Sequence, residues 1–154
     1  MALIDPWQPV RQALIQALRA NLVLNAQLTG DWSEGASPPT PVYPLGVYAL
    51  VPSPSLYDWS GVVHDLLVDI VVFATDQGEA ASLNQLVFTT LQDRLLTLTG
   101  LTSLGCRRTG NLSLQDVDEQ GQSIFEVGGT WRIRVAQSNP ALQTLTVTGD
   151  STIG

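Results

Sequence analysis

The clearest pattern in the chain is a two-residue alternation from 62 to 74. Val62, His64, Leu66, Val68, Ile70, Val72 and Ala74 share one face of an extended strand, while Val63, Asp65, Leu67, Asp69, Val71 and Phe73 share the other. The first face is apolar enough to belong to a core. The second mixes carboxylates with large apolar side chains, as on a surface that meets solvent or a partner. Ser123 to Ala136 repeats the pattern: Phe125, Val127, Gly129, Trp131, Ile133 and Val135 oppose Glu126, Arg132 and Arg134. Cys106 to Val117 reads as its hairpin partner through a turn at Asp118-Glu119-Gln120-Gly121. A shorter strand, Val47 to Val51, is hemmed by Pro41, Pro44, Pro52 and Pro54, which points to a sheet edge or a strand end.

Two stretches repeat at helical spacing. Asp5 as N-cap and Pro6 in the first turn introduce Val10, Leu14, Leu18 and Leu22, with Ala13 and Ala17 widening the stripe. Asp76 and Glu79 have capping-box spacing before Ala80, Leu83, Val87, Leu91, Leu95 and Leu98, which predicts a helix running to Gly100. Between these elements, 29 to 41 and 52 to 61 read as loops. The order helix, strand, strand, helix, strand, strand predicts an α+β fold: an antiparallel sheet of about four strands with two main helices packed on one face. Residues 1–137 form a single domain in this reading, and 138–154, with weak apolar patterning, form a tail or arm.

Parity carries a further consequence. If both long strands lie in one sheet, Asp65, Asp69, Arg132 and Arg134 share the face away from the helices, where cross-strand ion pairs are worth roughly 0.2–1 kcal/mol each. Leu67, Val71 and Phe73 lie among them and need cover, so these residues are the candidate interface. Trp32, Tyr57 and Trp59 join them as large aromatics in loop sequence, which are either tucked onto the domain or kept for a partner.

The chemistry is sparse. The formal charge of −7 arises from fourteen Asp and Glu against seven Arg with no Lys, which disfavours specific binding to nucleic acid. One cysteine, Cys106, and one histidine, His64, occur without a flanking motif, so a small buried thiol and an interior or interface imidazole are the ordinary readings. Asp116 to Gly121 opens like a calcium loop, but Gln120 stands at its fifth position and Val127 at its twelfth, so a hairpin turn is preferred. No nucleotide-binding, zinc or hydrolase motif occurs, and the reading is of a non-enzymatic protein with no cofactor and no metal. The opening Met1 to Asp5 lacks a signal-peptide pattern, and 62 to 74 is too short and too charged to span a bilayer, so no membrane role is expected.

The order of these segments resembles the phage tail-completion and tail-terminator family, virion proteins at the head-proximal end of the tail. The matching stretches are VRQALIQALRANLVLNAQL, PVYPLGVYAL, LLVDIVVFATD, EAASLNQLVFTTLQDRLL and GTWRIRVAQ. The resemblance implies a structural protein forming a homohexameric ring that ends the tail tube and joins it to the head through tail-tube and head-completion or neck proteins. It implies a place in the virion, host cytoplasm during assembly, and DNA passing through without specific binding. Another head–tail connector or a tail-tube protein of related fold is the first alternative; a small enzyme or inhibitor with an unrecognised site is the second. Residues 138–154 should be cleaved readily by protease in an isolated subunit and protected in an assembly. A tail that resists cleavage on the monomer would overturn that expectation.

Overall fold

In a computed structural model, which describes residues 5–51 and 63–137, three helices lie against a five-stranded sheet. The helices are α1 (Trp7–Ala20), α2 (Leu22–Gln27) and α3 (Gln77–Leu91). The strands are β1 (Trp32–Glu34), β2 (Leu45–Leu50), β3 (Val63–Ala74), β4 (Thr102–Val117) and β5 (Ser123–Ala136), in the order β1-β2-β3-β5-β4. The α+β architecture stands as read from the chain. Every pairing is antiparallel except β1 with β2, which is parallel.

Strand β3 is central, and its alternation settles which side is the core. His64, Leu66, Val68, Ile70, Val72 and Ala74 are buried. Trp131, Ile133 and Val135 of β5 join them, and α1 and α3 close the layer with Val10, Leu14, Leu18, Leu83, Val87 and Leu91. Burial of each such side chain contributes about 1.5–3 kcal/mol, so the core depends on the parity of two strands agreeing with the stripes of two helices.

Several boundaries differ from the sequence reading, each for a local reason. Pro6, not Asp5, holds the N-cap position of α1, and the Asp5 carboxylate instead accepts from the Trp7 amide at 3.1 Å. The first helical stripe breaks at Asn21, which turns extended and caps α2 by accepting from the Leu24 amide at 3.1 Å. The Asn21 side chain also donates to Thr90 at 2.8 Å. The break leaves Leu22 79% exposed and turns Leu24 and Leu28 into the core in its place.

Helix α3 begins as expected, with Asp76 accepting from the Glu79 amide at 2.8 Å, but it ends at Leu91 rather than near Gly100. Asp93 takes a left-handed conformation (φ 60°), which Asp tolerates better than most residues. Its amide then donates to the Cys106 carbonyl at 2.8 Å. Leu95 is therefore 65% exposed, while Leu96 is buried.

The predicted loop over 29 to 41 contains β1, which sequence reading missed because three residues carry no period. Trp32 lies opposite Gly46, where a Cβ would strike the indole ring. Strand β2 is consequently interior over β1's length and not an edge. Strand β4 starts at Thr102, four residues before the expected start, and register irregularities at Ser103/Gly105 and Arg108/Gly110 scramble its alternation. The 118–121 turn is a hairpin as read: Asp118 accepts from the Gln120 and Gln122 amides at 2.9 and 2.7 Å, and Gly121 supplies a φ of 82°. Tyr57, Trp59, the rest of the 52–61 loop and the 138–154 tail lie outside the described residues.

Gly128 sits opposite Val71, where a Cβ would strike the Ile70 carbonyl and the Val71 Cα. Gly128→Ala should therefore force β3 and β5 apart and destabilise the domain by about 1–3 kcal/mol. Urea denaturation measures this, and an unchanged midpoint would refute the close approach.

Candidate functional site

The sheet face away from the helices carries most of the predicted site residues. The β3–β5 register aligns Asp65 with Arg134, Leu67 with Arg132, Asp69 with Thr130, Val71 with Gly128 and Phe73 with Glu126. Both strands keep strict alternation here, so all of these side chains project to one side.

Asp65 is the hub. Arg134 donates from Nε and Nη2 to its two oxygens at 2.8 and 3.0 Å, and Arg132, one diagonal position away, donates from Nη2 at 2.6 Å. The carboxylate side chain is 7% exposed, while Arg132 and Arg134 are 43% and 47% exposed. The hydrogen bonds from Arg134 first, and then Arg132, hold the Asp65 carboxyl well below the usual carboxylate range against the opposing effect of burial. Two guanidiniums around one carboxylate leave this end of the face cationic. Asp69, further along, accepts from the Thr130 hydroxyl at 2.7 Å.

The opposite end of the face is acidic. Phe73 lines a recess with Tyr43, Asp116, Asp118, Ile124 and Glu126. Burial raises the Glu126 carboxyl, with a further push from Asp116, and burial followed by the charges of Asp118 and Glu126 raises the Tyr43 phenol. The Pro-rich segment at 37–43 and the β4–β5 turn enclose an open groove of about 610 Å³ beside it. The outer face therefore runs from a cationic end at Arg132 and Arg134, through Leu67, Asp69 and Val71, to an acidic end at Glu126, Asp116 and Asp118.

Other candidates separate from this face. Trp32 is buried on the helix side in the core of its own chain. Cys106 is fully buried, and desolvation pushes its thiol up to about 12, as befits a packing residue. His64 is buried on the helix side, where desolvation lowers its pKa. Arg107 reaches Asp93 at 3.5 Å at the surface, whereas Arg108 stacks on Phe88 at 4.7 Å from its ring centroid. Among the described residues no group of three His, Cys, Asp or Glu could hold a metal, and no helix is long and apolar enough to cross a membrane.

Sequence reading missed the acidic end as a site. Glu126 was legible from the parity of β5, but Tyr43 comes from a loop and Asp116 from a strand with broken alternation, so neither could be placed there beforehand.

The comparisons with known proteins give a structural likeness. No family model matches the chain, and no curated protein matches it. A chain in the virion of a native gene transfer agent particle has the same fold. The two are 22% identical with a TM-score of 0.62, and the match covers 87% of this chain and 99% of the other. At that identity the likeness establishes a shared architecture across nearly the whole of the virion chain.

The charges on the two ends of the face make opposite contributions to pH dependence. Asp65 has a lowered pKa in the fold, so its stabilisation is present above the ordinary value near pH 4 and is lost as pH falls below it. Glu126 has a raised pKa, so its ionisation on going to neutral pH weakens the fold. Asp65→Asn should lower stability at pH 7 and flatten the acid limb of the stability curve, whereas Glu126→Gln should raise stability at pH 7. Chemical denaturation from pH 2.5 to 7 checks both signs, and a shift in the same direction for both variants would contradict the assignment.

Proposed function

We propose that the protein is a structural virion component that forms a closed ring, of six subunits, at the head-proximal end of a phage tail, where it ends the tail tube and joins it to head-completion proteins. The observation that carries this reading is the fold match over 99% of a chain from a virion particle. The resemblance of the segment order to tail-completion and tail-terminator proteins supports the specific position. The role is one of binding geometry and requires no catalytic group.

The outer sheet face supports assembly through two different patches. A ring needs a heterologous interface, in which one patch of each subunit meets a different patch of the next. Arg132 and Arg134 at one end and Glu126, Asp116 and Asp118 at the other supply opposite charge. Leu67, Val71 and Phe73, partly buried between them, supply apolar area that assembly would remove from water. With a formal charge of −7 per chain, an assembled ring is strongly acidic, which would let DNA pass its channel without adhering. A neighbouring role as head–tail adaptor or tail-tube protein draws on the same fold match, and electron microscopy of tails with bound protein distinguishes the two by whether rings cap the tube or continue it.

Val71→Asp should dissociate the ring to the 16.5 kDa chain and leave far-UV circular dichroism unchanged, because the new carboxylate faces away from the core. Light scattering reads the mass. A wild-type protein that stays monomeric at high concentration, and forms no ring on tail tubes, would refute the proposal.

A further inference from the structure

Strand β4 is the long outer edge of the sheet, and its two halves are finished differently. Near its start, the residues after α3 seat on it. The Asp93 amide donates to the Cys106 carbonyl at 2.8 Å, and the Arg108 amide donates to the Gln92 side chain at 3.2 Å. Beyond the register irregularity at Arg108/Gly110, the strand pairs with β5 on one side, and no described strand lies on the other. Every residue from 109 to 117 except the half-buried Leu112 is exposed, with Leu114 at 52% and Val117 at 58%.

An edge of this length is a template for another strand, and proteins that must prevent such pairing place Lys, Pro, inward charges or a bulge along it. Thr109 to Val117 contains no Lys and no Pro, and its one charged residue is Asp116. The irregularity falls on Thr109, the first residue of this stretch, and Gly110 to Val117 pair with β5 in unbroken register. Leu112 and Leu114 align with Gly128 and Glu126, so they extend the face that carries Val71 and Phe73. The edge and the outer face form one continuous surface.

The chain itself contains a suitable sequence. Residues 141–148 read Ala-Leu-Gln-Thr-Leu-Thr-Val-Thr: rich in β-branched residues, with Leu145 and Val147 alternating against Thr144, Thr146 and Thr148. The segment is uncharged, so an acidic chain does not repel it. Fully extended it spans about 26 Å, close to the length of the open edge.

Connectivity decides whose edge it meets. Strand β5 ends at Ala136 opposite Thr102, at the far end of β4 from the open stretch. Residue 109 lies about 23 Å further along, past the place where Gln92 and Asp93 already occupy the edge. A segment following its own β4 meets the occupied half first, whereas a segment from another copy meets no such obstacle.

We propose that residues 141–148 of one copy add as a strand to the open edge, residues 109–117, of a second copy, with Leu145 and Val147 packing beside Leu112 and Leu114. This rests on the reading that copies of the chain assemble, and it names the contact that links them. Main-chain hydrogen bonds supply affinity, and the alternation of Leu145 and Val147 sets the register.

The test uses full-length chains. Ser113→Cys and Thr146→Cys are introduced in separate chains, which are mixed and treated with a short bismaleimide; Cys106, buried and protonated, stays unreactive. The expected result is a cross-linked species of twice the chain mass from the mixture and none from either variant alone. Leu145→Pro with Thr146→Pro, which removes main-chain donors of both parities from the segment, should lower assembly by roughly tenfold in concentration without changing circular dichroism of the subunit. A chain carrying both cysteines that cross-links within itself at dilutions where it is monomeric would overturn the proposal by placing the segment on its own edge. An assembly that forms normally with the prolines and gives no mixed cross-link would overturn it while leaving the assembly reading intact. A chain that never assembles overturns both.

Discussion

Strand β3 works under a constraint that the rest of the molecule obeys: its two faces must satisfy two different environments at once. One face is closed by helices, and even a single-residue slip of β3 against β5 would exchange His64, Leu66, Val68 and Ile70 for Asp65, Leu67 and Asp69 in the core. Placing a carboxylate such as Asp65 beneath α1 and α3 with no guanidinium opposite it would cost several kcal/mol, so register and helix placement are specified together. The Asp65–Arg134 pair, the seating of Gly128 on Val71 and the burial of Trp131 all follow from that single alignment.

The same alignment gives the outer face its polarity. Because β3 and β5 run antiparallel with unbroken alternation, the arginines gather at one end and Glu126 at the other. The Pro-rich segment and the hairpin turn add Tyr43, Asp116 and Asp118 to the acidic end. A monomer gains little from separating its charges in this way, since exposed ion pairs contribute about 0–1 kcal/mol. The face thus carries a cationic end, a middle in which Leu67 and Val71 flank Asp69, and an acidic end, an arrangement with opposite charges available to a partner surface. The open stretch of β4 borders that face on the same side, so the features that lack an explanation within one chain are contiguous.

The residues with familiar chemistry are used for structure. Cys106 fills the core, and its carbonyl accepts the amide of Asp93, two residues beyond the end of α3. Arg108 covers Phe88 and approaches Trp131, turning a charged side chain into a lid for aromatic rings. Asp118, which opens like a metal loop in sequence, spends its carboxylate on the Gln120 and Gln122 amides of a turn.

The sequence by itself determined the α+β class, the long strands β3 and β5, the hairpin turn, the onset of α3 and the joint placement of Asp65, Asp69, Arg132 and Arg134 on one face. These are local or periodic properties: a two-residue period survives any change of surroundings, and a capping carboxylate acts within its own turn. Tertiary structure alone decided that α1 breaks at Asn21, that α3 stops at Leu91, that Trp32 starts a parallel strand over Gly46, and that Tyr43 meets Glu126 and Asp118. In each case a partner distant in sequence wins over local preference. Thr90 receives the Asn21 side chain, Cys106 receives the Asp93 amide, and the space left by a missing Cβ at Gly46 receives an indole ring. Where β4 carries irregularities, even its own alternation ceased to be readable, because each one moves every later side chain to the opposite face.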